Sequence, residues 1–366
     1  MIIGIEAERA NQPQKTGVEH YAQQLILHLA AIDAENQYVL YLRAKPEDWF
    51  FSLPENFTVK VIPFPVFWTQ LRISWEMLVH PVDVLFIPAS ALPIIHPKKT
   101  VVTIHDLAWI FYPQAFTWFN RNFLKFSTWF AVKSASKIIA VSEATKKDLI
   151  KVYQINSDKV IVVHHGYKLE VSRQPARRSL DEVGEPLINL PQHYILFLST
   201  LQPRKNLGGL IKAFRQLKQE LPELPHKLVV VGKPGWKFEA ILKKIDENKD
   251  IVVYFNHILE AEKFAVLKGA TALVLPSFYE GFGMQILEAF AAGVPVAASN
   301  VSSLPEVAGE AAVYFDPGDV NQIKSAVKNI LLDKALADRL RAKGQERLKQ
   351  FSWQKCAEET LKVLLQ

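Results

Sequence analysis

The stretch ALVLPSFYEGFGMQILEAFAA, residues Ala272 to Ala292, decides the fold. Ala272–Leu275 is a short apolar run of the kind that forms a fully buried strand, and Pro276 closes it. Gly281 and Gly283 then allow close backbone approach, and the mostly apolar sequence from Met284 to Ala292 reads as a helix. A buried strand that turns directly into a packed helix is the repeating step of a parallel α/β sheet. Such turns are also where these sheets bind ligands, beyond the carboxyl ends of their strands.

The same alternation extends in both directions. C-terminal to it come Pro295–Ser299 as a strand and helices after Asp319. N-terminal to it, Tyr194–Ser199, Lys227–Val231 and Ile251–Tyr254 read as strands, separated by helices at Leu207–Gln219, Lys237–Glu247 and Glu260–Lys268. An equivalent series fills the first half: strands at Met1–Ile5, Gln37–Leu42, Val59–Ile62, Val84–Ile87, Thr100–Ile104, Lys137–Val141 and Lys159–Val163, with helices at Gly17–Ala31 and from Ser142. Around Leu169–Gln192 the periodicity fails among Pro175, Gly184, Pro186 and Pro191, which marks a linker. The expected class is α/β, with two doubly wound parallel-sheet domains facing each other across a cleft. The expected boundaries are 1–168, a linker at 169–192, 193–348, and a terminal segment at 349–366.

Length and composition agree. A chain of 366 residues suggests two domains at roughly 150 residues each. With 49% hydrophobic and 22% charged residues it is neither disordered nor collagenous. The single cysteine, Cys356, excludes an internal disulfide and a Cys-based zinc site and fits a reducing compartment. No secretory leader pattern and no apolar run of about 20 residues is present, so the expected location is cytosolic. The net charge is +6, and between Lys98 and Lys168 eleven Lys and Arg stand against four Asp and Glu. That local field attracts anions, whether nucleic acid, anionic lipid or phosphorylated substrates.

Several constellations carry chemistry. Arg204 and Lys205 follow the strand Tyr194–Ser199 and precede a helix, an arrangement that suits an anion; the alternative is a solvated basic turn. Glu280 stands before the helix that Met284 opens, and Glu288 lies within it, roughly 12 Å further along at about 1.5 Å per residue. That spacing is too wide for one metal or a shared proton, and it suits two ends of an extended ligand. Glu288 is flanked by apolar residues, where a carboxylate needs a partner. His105 and Asp106 follow the strand Thr100–Ile104, where a His can donate a hydrogen bond or a proton; a chance pair is the bland alternative. Ser142 reads as a helix N-cap. Trp109–Phe130 holds ten aromatics in twenty-two residues, either a core helix with a basic edge or a patch that dips into an anionic membrane. No dinucleotide fingerprint, P-loop or zincin motif occurs.

The segments EGFGMQILEAFAAGVPVAAS, LQPRKNLGGLIKAF, VVVGKPGW, HDLAWIFYP, ASKIIAVSEATKKDL and IVVHHGY together resemble the retaining glycosyltransferases of family 4, in order and over essentially the whole chain. The overall character is similar to the mannosyltransferase-like members that build bacterial polysaccharides. The resemblance implies the GT-B fold and transfer of a hexose, mannose favoured, from a nucleoside-diphosphate sugar to a glycan or lipid-linked saccharide hydroxyl. It implies that Arg204 and Lys205 hold the donor diphosphate, that Glu288 binds the ribose hydroxyls, and that Glu280 lies near the donor sugar. Phe282, Gly283 and Met284 would contact sugar or phosphate oxygens through the start of the helix. His105 would face the reacting sugar, and Gly17 would belong to a loop near the donor phosphate. The final helix, Phe351–Leu365, would pack back on the first domain.

No metal and no cofactor is expected beyond the donor, for which a GDP-sugar is favoured. The expected partners are that donor and a saccharide or lipid-linked acceptor, with peripheral contact to the inner face of the membrane through residues 98–168 and no nucleic acid. Two residues depart from the family pattern. Gly17 stands alone where two glycines are frequent, and Gln285 replaces a frequent Pro at the helix start. The expected mechanism is front-face transfer with the leaving phosphate taking the acceptor proton. A GT-B-fold epimerase, a glycan phosphorylase and a non-catalytic sugar-nucleotide binding protein are the rival readings.

Overall fold

The computed structural model describes residues 1–13, 15, 17–167 and 189–366; most of the expected linker, up to residue 188, lies outside the described residues. The chain divides into two compact units, Met1–Pro113 with Thr117–Gly166 and Phe351–Gln366, and Gln114–Phe116 with Tyr167–Gln350.

The first unit contains β1 (Ile2–Glu6), α1 (Gly17–Ile32), β2 (Gln37–Leu42), β3 (Phe57–Val61), α2 (Ile73–Val79), β4 (Val84–Ile87) and β5 (Thr100–Ile104). It continues with α3 (Ala108–Phe111), α4 (Trp118–Ser134), β6 (Lys137–Ala140), α5 (Glu143–Tyr153) and β7 (Val160–Val162). The seven strands form one parallel sheet in the order β3-β2-β1-β4-β5-β6-β7. Strands β4 and β5 are buried along their whole length, which explains their Val, Leu and Ile content. Ser142 caps α5 by accepting the Thr145 N–H at 3.0 Å.

The second unit repeats the plan with β8 (Tyr194–Leu198), α6 (Leu207–Glu220), β9 (Lys227–Val231), α7 (Glu239–Asp246), β10 (Val252–Phe255), α8 (Glu260–Lys268) and β11 (Ala272–Leu275). Next come α9 (Met284–Ala291), β12 (Val296–Ser299), α10 (Leu304–Ala308), β13 (Ala312–Phe315), α11 (Val320–Leu332) and α12 (Lys334–Leu348). Its parallel order is β10-β9-β8-β11-β12-β13. Leu210, Phe214 and Leu217 of α6 and Ile323 and Val327 of α11 lie in one apolar core with Ile195, Phe197 and Val274 of the sheet. In each unit the strand order reverses direction at one place, between β1 and β4 and between β8 and β11. Such switch points leave a crevice at the strands' carboxyl ends.

The last helix, α13 (Trp353–Leu365), belongs to the first unit and packs along α1. Ser352 caps it by accepting the Lys355 N–H at 3.1 Å. Its start sits against Gly166, where a Cβ would come within 2.0 Å of the Trp353 amide nitrogen, so only glycine permits the approach. Among the described residues no helix is long and apolar enough to cross a membrane.

Candidate functional site

The switch point of the second unit gathers most of the residues singled out above. The segment after β8 carries Arg204 and Lys205 in a single 3-10 turn, Pro203–Lys205, and the segment after β11 carries Ser277 and Glu280. The Phe278 N–H donates to the Arg204 carbonyl at 2.8 Å, which ties the two segments together. Lys205 places its ammonium 2.6 Å and 2.7 Å from the two oxygens of Glu280. Arg204 reaches Glu280 Oε2 at 3.4 Å and donates to the Tyr279 carbonyl at 2.9 Å, while Gln202 takes its Nε at 3.2 Å. Ser277 completes the set with a hydroxyl donated to Glu280 Oε1 at 2.7 Å.

Lys205 and Glu280 are each only 6% exposed, so the pair is a desolvated ion pair and the solvated-turn reading fails. Burial alone would raise the Glu280 carboxyl; the Lys205 and Arg204 charges, with the Lys205 and Ser277 hydrogen bonds, outweigh it and hold the group below the ordinary carboxylate range. Two cations and one carboxylate leave a net positive charge at the head of the crevice.

The turn into α9 is built to present backbone. Gly283 has φ of 102°, and a Cβ there would come within 2.8 Å of Leu304 Cδ2, so both conformation and space call for glycine. Ser303 donates to the carbonyls of Glu280 at 3.0 Å and Phe282 at 2.8 Å, and Ser302 accepts the Glu280 N–H at 2.9 Å. These two serines, which the sequence reading missed, fix the loop that holds Phe282 and Gly283. Met284 is the first residue of α9. One turn beyond it, Glu288 meets the partner its apolar surroundings demand: Lys263 of α8, at 2.5 Å. Lys263 comes from a helix whose sequence gives no hint of this pairing.

His105 and Gly17 lie in the first unit. The His105 Nε2–H donates to the Pro88 carbonyl at 2.8 Å, which places its proton on that nitrogen and leaves Nδ1 as an acceptor. Burial pushes this imidazole down from its ordinary value, against the pull of the Pro88 carbonyl and Asp106, and it is neutral near pH 7. With Nε2–H turned to the Pro88 carbonyl, Nδ1 is the ring nitrogen left to meet a ligand. Tyr21 packs edge-on to it with ring centroids 5.0 Å apart, and His165 stacks on Tyr21 at 4.7 Å. Gly17 is the first residue of α1 rather than part of a loop, so its backbone is set by the helix.

The end of β1 holds a further carboxylate. Glu6 is buried, and burial pushes it up to about 7 despite the attraction of Arg9. Arg9 itself donates to Glu19 Oε1 at 3.3 Å. The sequence gives no sign of this carboxylate's role, because burial cannot be read from a strand end.

Residues 15–171 match the family model described as Glycosyltransferase Family 4, and residues 181–347 match that described as Glycosyl transferases group 1. The O-antigen chain mannosyltransferase B of Escherichia coli is 30% identical over 269 residues, 72% of this chain and 69% of that protein. The O-antigen chain mannosyltransferase RfbU of Salmonella typhimurium is 26% identical over 64% of this chain and 61% of its own length. Among solved structures, the sucrose-phosphate synthase of Thermosynechococcus elongatus superposes with a TM-score of 0.74 at 20% identity, covering 99% of this chain and 98% of that one. With two parallel-sheet units, a cationic switch point in the second and these similarities, the chain belongs to the family 4, group 1 glycosyltransferases of the GT-B fold.

Proposed function

We propose that the protein moves a mannosyl group from a nucleoside-diphosphate sugar, a GDP-sugar favoured, to a hydroxyl of a growing glycan or lipid-linked saccharide in cell-surface polysaccharide assembly. The observation that carries this reading is the Arg204–Lys205–Glu280–Ser277 cluster beside the start of α9. A departing diphosphate needs positive charge fixed in advance, and two cations held by hydrogen bonds supply it without reorganisation. The names of the O-antigen mannosyltransferases similar to this chain support mannose as the sugar.

In this reading the diphosphate binds Arg204 and Lys205, with the backbone of Phe282, Gly283 and Met284 and the N-terminus of α9 contributing partial positive charge. Glu288, oriented by Lys263, takes the ribose hydroxyls, and its acceptor-only chemistry suits a diol. His105 Nδ1 accepts a substrate hydroxyl, and Gly17, the first residue of α1, contacts the donor phosphate. The transfer is retaining and needs neither metal nor resident cofactor. Its leaving phosphate takes the acceptor proton, because Glu280 is held by Lys205 and Ser277 and is poorly free to act as nucleophile.

The test is turnover of GDP-mannose with a mannose-terminated acceptor, with the product anomer read by NMR. The reading expects an α-linked product, and Arg204→Ala lowering kcat by at least about a hundredfold, the loss typical of one oriented donor to a leaving oxyanion. An inverted anomer, or full activity in Arg204→Ala, overturns it. Glu280→Gln with near-normal turnover would show that the Glu280 charge is dispensable.

A further inference from the structure

The first unit holds two aromatic groups of opposite character. The aromatics of α4 are not core: only Ser127, Thr128, Ala131 and Val132 of that helix are buried, which corrects the core reading of this helix. The second group is buried where α1, β5, the segment after β7 and α13 meet, and it closes around His105.

Tyr21 of α1, His165 after β7 and Trp353 of α13 are each no more than 5% exposed. The Tyr21 and His165 rings stack, with centroids 4.7 Å apart and planes 21° from parallel. His105 stands nearly at right angles to both, at 84° and 5.0 Å from Tyr21 and at 82° and 5.5 Å from His165. Trp353 backs the stack, 6.0 Å from His165 and 6.2 Å from Tyr21.

The stack is tied to the strand that carries His105. The Tyr21 and Thr103 hydroxyls share a hydrogen bond of 3.0 Å, and Thr103 stands two residues before His105, the spacing that puts side chains on one face of a strand. Gly166 follows His165 directly and admits the α13 backbone at Trp353, so the approach that seats α13 also seats the stack.

An imidazole held by one hydrogen bond still swings about it. The Nε2–H bond to the Pro88 carbonyl, 2.8 Å, fixes one point of the His105 ring, and the edge-on contacts with two stacked rings fix its plane. Aliphatic side chains would fill this space as well, without setting the plane of a neighbouring ring. Burial, with His105, His20 and His164 adding to it, pushes His165 well below the ordinary imidazole range, so His105 faces an uncharged ring.

We propose that Tyr21 and His165 are positioning residues for His105, and that α13 holds them in place through Trp353, so that the last helix sets how His105 Nδ1 is presented to the substrate. This rests on the proposed function in taking His105 as the ring that meets a substrate hydroxyl.

Two readouts test it, and the first needs no sugar. In nitrogen–proton correlation spectra of the imidazoles, with His105 assigned by the loss of its signals in His105→Gln, the wild type is expected to show the single Nε2–H tautomer. Tyr21→Leu, His165→Leu and Trp353→Leu are expected to move His105 toward averaged nitrogen shifts. Tyr21→Phe and His165→Phe keep a ring and are expected to retain the wild-type pattern. In sugar transfer, Tyr21→Leu and His165→Leu are expected to lower kcat about tenfold, the worth of one aromatic pair, with the donor KM unchanged and the Phe variants restoring the rate. In a His105→Ala background the same Leu substitutions are expected to change kcat by less than about twofold. Backbone amide spectra that overlay the wild type away from the cluster establish folding; if Tyr21→Leu does not fold, His165→Leu carries the test. Unchanged His105 signals in the folded Leu variants overturn the proposal, and so do kcat losses of equal size in the His105→Ala background. If the wild type transfers no sugar while the His105 signals respond as expected, the proposed activity falls and the positioning of His105 stands.

Discussion

Replacing Lys205 by Met tests how the buried pair is held. Met keeps most of the side-chain volume and removes the ammonium that lies 2.6 Å and 2.7 Å from the Glu280 oxygens. Breaking a buried pair by removing one partner costs about 3–5 kcal/mol, because the other charge stays desolvated. Here Arg204 at 3.4 Å and Ser277 at 2.7 Å remain with the carboxylate, which places the loss near the lower end, about 3 kcal/mol. Lys205→Met combined with Glu280→Gln removes both charges and keeps a group that can accept from Ser277, so it is expected to recover about 2 kcal/mol of that loss.

The pH dependence carries an independent sign. In the wild type Glu280 is held below 4.5, so its contribution is present above that pH and fades as pH falls through the depressed value. In Lys205→Met, burial pushes the carboxyl upward instead, and the variant loses stability as pH rises from about 4.5. The gap between wild type and variant therefore narrows in acid. Amide hydrogen exchange at β8 and β11 reads the opening of this unit by itself, and about 3 kcal/mol corresponds to roughly a hundredfold faster exchange at neutral pH. A change under about fivefold, or a gap independent of pH, would refute the reasoning.

The first unit supplies two further predictions. Glu6, raised from 4.5 to about 7, costs the native state about 3 kcal/mol above pH 7, so Glu6→Gln is expected to be more stable than wild type by that order at pH 8 and similar to it at pH 4. Urea midpoints at the two pH values measure this; equal midpoints for both proteins at pH 8 would contradict it. Gly166→Ala drives a methyl group into the backbone at the start of α13, and a loss of at least about 3 kcal/mol is expected, with α13 amides exchanging first. An alanine variant as stable as wild type would mean that α13 can shift without cost.

Much of this was legible because parallel strands are apolar on both faces. Ala272–Leu275 and Tyr194–Ile195 announce the second sheet, and strand–turn–helix succession announces its direction. Arg204, Lys205 and Glu280 were visible as charges just after strands, the place where such sheets hold ligands. What the sequence withheld was pairing across long separations. Lys263 finds Glu288 from 25 residues away, Ser302 and Ser303 brace a loop 21 to 23 residues upstream, and Glu6, in register with Tyr41 of β2, is buried. The aromatic helix α4 illustrates the opposite failure: its spacing fits a core stripe and an exposed one equally, and only the packed structure separates them. Helix α2 gives no readable amphipathic period because its polar Ser74 and Glu76 are buried while Trp75, Leu78 and Val79 are exposed.

The central claim is that the cationic switch point of the second unit holds a nucleoside diphosphate. Calorimetric titration of GDP, UDP, dTDP, ADP and NAD into the wild type, Arg204→Ala and Glu288→Ala tests it most directly. The account predicts saturable binding of one nucleoside diphosphate, GDP favoured, weakened at least tenfold in each variant. Binding of none, of NAD alone, or of a diphosphate equally well in both variants would contradict it.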